Sequence, residues 1–130
     1  MKVQVIGLPG AGKSTAIQEF LNEKNWYKSL RHLDIRHYKG LNREQALRSA
    51  INNSLISVIA ESACGVSAKE SIIIQINTPI SDIYLRLLKR DGVADEDYLS
   101  LLQQEMMPPD YRLSSSEDLP GLLKILFKRK

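Results

Sequence analysis

Residues 7–15 read Gly-Leu-Pro-Gly-Ala-Gly-Lys-Ser-Thr. They stand between the apolar run Val3-Gln4-Val5-Ile6 and a stretch where Ala16, Ile17, Phe20 and Leu21 recur at helical spacing. No other feature constrains the fold as strongly. A strand must deliver the chain into a tight glycine-rich turn and a helix must leave it, the frame of the pattern G-x-x-x-x-G-K-[ST]. The turn is shaped for phosphate. A triphosphate concentrates negative charge, so a backbone that holds it must approach closely with its N–H groups turned inward. Gly7, Gly10 and Gly12 permit that approach, and Leu8, Pro9 and Ala11 carry the backbone between them. The amides form an anion-binding concavity, and the following helix adds its N-terminal dipole. Lys13 is expected to reach the β- and γ-phosphates and the Ser14 hydroxyl to ligate Mg²⁺. The implied ligand is a nucleoside triphosphate, ATP or GTP, with Mg²⁺.

The chain has 130 residues, which predicts one domain over 1–130. That length suffices to bury about two-thirds of the unfolded surface. A net charge of +3 suits anionic ligands, and without a long basic run it speaks against nucleic acid as a partner. One cysteine, Cys64, excludes an internal disulfide framework and cannot build a zinc site alone. No stretch reaches membrane-span length and the chain opens into a strand rather than a signal peptide, so no membrane partner and a cytoplasmic location are expected.

Strand and helix alternate along the chain. Residues 2–6 read as a strand and 13–24 as a helix. A second strand lies near Ser29–Ile35. Asn42, with Gln45 three residues on, forms a capping box for a helix from Arg43 to about Asn53. Residues 55–61 are ambiguous. Leu47, Ile51, Leu55 and Val58 keep helical spacing, so the helix can run on to Gly65 as its terminal glycine; alternatively, 55–60 is a buried strand. The strand is preferred because the phosphate loop calls for one here. Ser71–Asn77 is a strand rich in β-branched residues. Pro79 opens a helix with Ile83, Leu87 and Leu88 on one face. Asp95–Met107 forms another, stopped by Pro108-Pro109. Tyr111–Leu113 reads as a short edge strand, and Ser114–Ser116 cap a last helix holding Leu122, Leu123, Ile125, Leu126 and Phe127. This order predicts an α/β fold with a five-stranded parallel sheet in order 2-3-1-4-5, covered on both faces as an α/β/α sandwich. Ligands of such sheets bind outside the carboxyl ends of the strands.

That rule selects further residues. Asp34, ending the second strand, is placed to accept the proton of an attacking hydroxyl or to hold Mg²⁺. Arg36 is placed to fork onto an acceptor's phosphate or carboxylate; the plain alternative is a solvated pair. Glu61 emerges beside the loop under the strand reading, where it would join Ser14 at the metal. Under the helix reading it is an ordinary surface glutamate. Arg86 and Arg90, four apart on one helix face, are candidates to clamp the transferring phosphate; the alternative is a basic solvent face. His32 and His37 read as surface or partly packed, Cys64 as a small buried residue, and Met106-Met107 as core. Lys124, Lys128, Arg129 and Lys130 complement the negative end of the last helix.

Across nearly its whole length, at the level of motifs, the chain resembles the P-loop small-molecule and nucleotide kinases. The residues that carry this are Gly7–Thr15, Leu33-Asp34-Ile35-Arg36, Val58-Ile59-Ala60-Glu61-Ser62, Asn77-Thr78-Pro79 through Arg86-Leu-Leu-Lys-Arg90, and Asp110-Tyr111-Arg112-Leu113-Ser114. The resemblance implies that Thr15 adds a hydroxyl to the α-phosphate, that Arg86 packs on the adenine and Arg90 contacts phosphate, and that 110–114 leads to the adenine side. It implies ATP–Mg²⁺-dependent phosphoryl transfer to a small acceptor, nucleotides and nucleosides among the candidates, with Lys13, Asp34, Arg86 and Arg90 catalytic and Asp34 and Arg36 binding the acceptor. The chain departs from the family in its small size, in a short connection after Glu61, and in an acidic Asp91–Asp97 without the arginines of a full lid. Two other readings stand beside transfer: a nucleotide-driven ATPase or switch, and a relic that binds ATP without turnover.

Overall fold

The computed structural model describes residues 1–23, 26, 29–40 and 42–128. The expected end of the first helix at Lys24 and the terminal Arg129 and Lys130 lie outside them. In order along the chain are β1 (Lys2–Ile6), α1 (Lys13–Glu23), β2 (Leu30–Asp34), α2 (Arg43–Asn53), β3 (Ser57–Ser62), β4 (Ser71–Ile76), α3 (Ile80–Asp91), α4 (Glu96–Glu105), β5 (Tyr111–Leu113) and α5 (Leu119–Lys128). Short 3₁₀ turns follow β2 at Ile35–His37 and precede α5 at Ser116–Asp118.

The five strands form a parallel sheet in the order β2-β3-β1-β4-β5, as the sequence predicts. β1 is central, flanked by β3 and β4, and Val3, Val5 and Ile6 are wholly buried. Such strands, covered on both faces, read as near-continuous apolar runs, and Ile72–Ile74 of β4 follow the same rule. On one face Val3, Val5, Ile59, Ile74 and Ile76 pack against α1, α3 and α5 through Ile17, Phe20, Ile83, Leu123 and Phe127. On the other, Leu33, Val58 and Ala60 meet Leu47 and Ile51 of α2. Gln4 is buried in β1 without loss, because its amide bonds the Val66 carbonyl (2.8 Å), the Val66 N–H (2.8 Å) and the Ser71 hydroxyl (2.9 Å). The loop after β3 is thereby tied to the sheet.

Residues 57–62 are a strand, so the helical reading of 55–61 is overturned. Ser54 is extended at φ −69°, ψ 129° and ends α2, and the Lys2 ammonium donates to the Asn52 carbonyl (3.1 Å) at that terminus. β3 begins two residues later than expected, because Leu55 and Ile56 are exposed before the chain enters the sheet. Gly65, at φ 86°, belongs to the loop rather than a helix end. Asn42 stands at the start of α2 but makes no side-chain capping bond. Its φ −109°, ψ 26° is not the extended geometry that aims a cap at the helix amides. Asp95 does cap α4, its carboxylate accepting from the Tyr98 N–H (3.1 Å). Ser115 caps the 3₁₀ turn before α5 by accepting from the Glu117 N–H (3.2 Å). Lys124 pairs with Glu23, joining α5 to α1 instead of serving its own helix end.

Candidate active site

The strand–loop–helix frame places residues 7–12 at the carboxyl end of β1. Gly10 and Gly12 have φ of 86° and 88°, values that side-chain-bearing residues avoid. A Cβ on Gly12 would also lie 2.7 Å from the Ser116 hydroxyl. The Gly7 N–H donates to the Ala63 carbonyl (3.1 Å), anchoring the loop to the end of β3. Lys13, at the start of α1, turns back onto the loop: its ammonium donates to the carbonyls of Gly7 (2.6 Å) and Leu8 (3.0 Å). Burial lowers its pKa from 10.5 to about 8, the Arg36 charge adds to this, and Glu61 and Asp34 oppose it.

Next to Lys13, Ser14 faces β2 and β3. In their register Asp34 lies opposite Glu61, and both side chains are buried. The Ser14 hydroxyl donates to Glu61 Oε1 (2.7 Å), while the imidazole Nε2 of His32 meets Glu61 Oε2 (2.6 Å). Arg36 closes the group. Its guanidinium donates to both Asp34 carboxylate oxygens (2.6–3.1 Å) and to the Ser14 hydroxyl (2.9 Å), and lies 3.7 Å from Glu61. The Arg36 N–H also donates to Asp34 (2.9 Å), so the turn after β2 fixes the carboxylate. Burial works to raise the Asp34 carboxyl, and the Arg36 hydrogen bonds and charge outweigh it and hold it below the usual carboxylate range.

A cavity of about 530 Å³ opens over this group. Its wall includes Pro9, Gly10, Gly12, Lys13, Ser14 and Thr15 of the loop and helix start, together with Asp34, Arg36, Glu61 and Arg90. These sequence candidates therefore converge. Gly7, Leu8 and Ala11 support the loop from behind, Leu8 and Ala11 within the core. Arg86 stands apart. It does not line the cavity, and its exposed guanidinium donates to the Gly10 carbonyl (3.2 Å) from the α3 side. Arg90 reaches the cavity while paired with its neighbour Asp91 (2.9 Å). Asp110 is structural: it accepts from the Ile73 N–H (2.7 Å) and pins β5 to β4.

Sequence reasoning missed His32, whose ring is mostly buried against Glu61. It also missed Arg43, Tyr98 and Leu102 on the cavity wall. The signal for His32 was its place two residues before Asp34, hence on the same sheet face. Nothing in the sequence brings α4 to the wall. Cys64 is half-buried rather than buried, its thiol donating to the Leu102 carbonyl (3.3 Å).

The oxygen chemistry at Ser14, Asp34 and Glu61 fits a hard cation. Among the described residues no three His, Cys, Asp or Glu side chains gather into an all-protein cage. Among the described residues no helix is long and apolar enough to cross a membrane.

No protein-family model and no curated protein matches the chain. Solved structures do. A shikimate kinase from Acinetobacter baumannii, in complex with shikimate, is similar at 16% identity and TM-score 0.69, covering 99% of this chain and 94% of its own. A sugar kinase from Janibacter sp. HTCC2649 is similar at 14% identity and TM-score 0.66, covering 98% and 94%. A gluconokinase from Sinorhizobium meliloti 1021 is similar at 10% identity and TM-score 0.63, covering 99% and 97%. With its parallel sheet in the order β2-β3-β1-β4-β5 and helices on both faces, the chain has the fold of the P-loop small-molecule kinases.

Proposed function

We propose that the chain transfers the γ-phosphoryl group of ATP to a hydroxyl of a small molecule. The observation that carries this reading is the convergence of Lys13, Ser14, Asp34, Arg36 and Glu61 on one cavity at the loop. The loop amides and Lys13 bind the triphosphate, Lys13 leaving the Gly7 and Leu8 carbonyls to neutralise the β- and γ-oxygens. Thr15 adds a hydroxyl at the α-phosphate. Ser14 and Glu61 would hold Mg²⁺, which would offset the charge of the phosphates.

Asp34 faces the acceptor hydroxyl. Because the Arg36 pair keeps it ionised, Asp34 accepts a hydrogen bond and orients the attacking oxygen, and it is too weak a base to abstract the proton early. Early abstraction is not needed where the transition state is loose and catalysis is mainly alignment and charge stabilisation. The acceptor oxygen bonds to the γ-phosphorus, the bond to the β-phosphate oxygen breaks, and the hydroxyl proton passes through Asp34 to solvent. Arg36 binds the acceptor, Arg90 screens the transferring group, and Arg86 braces the loop at Gly10. The neighbours whose names are those of shikimate, gluconate and sugar kinases support a hydroxylated metabolite as acceptor. A nucleotide or nucleoside belongs to the same test.

The test is ADP release across a panel of hydroxy acids, sugars, nucleosides and nucleotides. One acceptor is expected to raise the rate well above ATP hydrolysis, and Lys13→Ala to lower it about 100-fold or more. Acceptor-independent hydrolysis stimulated by a protein would support a switch instead. Binding without turnover across the panel would support a relic.

A further inference from the structure

We infer that His32 is a positioning residue that, with Gln18, sets the Glu61 carboxylate for the Ser14 hydroxyl and so determines how readily the loop takes up Mg²⁺. This rests on the phosphate-loop reading above. Glu61 is almost fully buried, and its two oxygens have different partners: Ser14 donates to Oε1 (2.7 Å), and His32 Nε2 lies 2.6 Å from Oε2. A carboxylate offers only acceptors, so Nε2 carries the hydrogen of that bond. The other ring nitrogen, Nδ1, is then left to accept from the Gln18 amide, 3.1 Å away. Ser14 and Gln18 are four apart on α1 and therefore share a face. His32 bridges that face to β3 from the neighbouring strand.

The chain of bonds has one direction. Gln18 donates to His32, His32 to Glu61, and Ser14 also to Glu61. With its hydrogen committed to Glu61, the Ser14 oxygen has only lone pairs to offer: one accepts from the Arg36 guanidinium (2.9 Å), and the other is left for a cation at the cavity. Without His32 the carboxylate loses the bond that fixes its plane. Glu61 can then turn and release the Ser14 hydrogen. Partners that orient a metal-binding group from behind are commonly worth 10–100-fold in metal affinity.

The experiment is calorimetric titration of ATP into the full chain at graded Mg²⁺ concentrations and in EDTA. His32→Leu is expected to raise the Mg²⁺ concentration for half-maximal ATP affinity about tenfold while leaving metal-free ATP binding unchanged. His32→Gln, whose amide reaches the same place as Nε2, is expected to restore the requirement to within about threefold of wild type. Should His32→Leu fail to fold, His32→Ser, too short to reach the carboxylate, takes its place. Wild-type metal dependence in the Leu or Ser variant overturns the inference. So does equal loss in the Gln variant, or a proportionate loss of metal-free binding, which marks a merely structural tie. A wild-type chain that binds no ATP at all overturns the phosphate-loop reading and this one together.

Discussion

The burial of Lys13 carries a cost in stability. Its pKa falls from 10.5 to about 8, chiefly through burial. Below pH 8 both folded and unfolded chains hold this proton and the cost is fully present. Between about 8 and 10.5 the folded state has released it while the unfolded state keeps it, so stability rises with pH across that window. Chemical denaturation from pH 7.5 to 10 is expected to show this rise relative to Lys13→Met, in which it is absent; parallel curves would contradict it. The residues legible from sequence are those whose role is local. Gly7–Thr15 declare themselves by spacing, and Asp34 and Glu61 by standing at the carboxyl ends of β2 and β3. Arg36 follows from its neighbour, since both its backbone and side chain bond Asp34. His32 was legible as a residue on the Asp34 face, and its role was not, because that needs the β2–β3 register and a contact from α1. Arg86 was legible as a helix-face cation, and its turn onto Gly10 was not, since that depends on how α3 docks against the loop.

Among the elements, β3 shows where periodicity misleads. Leu47 and Ile51 point into the core at helical spacing, yet Leu55, next in the series, is 101% exposed. The extended Ser54 and the β-branched Ile56, Val58 and Ile59 decide for a strand, which the sheet then buries. Caps show a second limit. Asn42 and Asp95 look equivalent in sequence, and only Asp95 makes its bond. Asp95→Ala is therefore expected to cost about 1 kcal/mol in urea unfolding and Asn42→Ala less than about half of that. Equal costs would contradict the cap geometry. The acidic segment Asp91–Asp97 has the same explanation. Asp91 pairs with Arg90, Gly92 ends α3 in the left-handed region, and Asp95, Glu96 and Asp97 open α4. Four residues join the two helices, and Asp95, Glu96 and Asp97 serve the start of α4 and the positive end of its dipole.

For the molecule as a whole, strand order and layering were legible because each strand alternates with a helix and the phosphate loop fixes which strand is central. The cavity wall was not, because Tyr98 and Leu102 reach it only through the docking of α4 on α3. The whole fold serves one arrangement: β1 delivers the loop, β2 and β3 deliver the two carboxylates, and α1 supplies Lys13 and Ser14. If that arrangement binds polyphosphate, calorimetric titration of Mg–ATP into the wild-type chain gives saturable heat, and Lys13→Ala lowers the affinity at least about tenfold, the loss of a charge-assisted contact. No saturable heat from the wild-type chain, or an undiminished affinity in Lys13→Ala, would contradict the account.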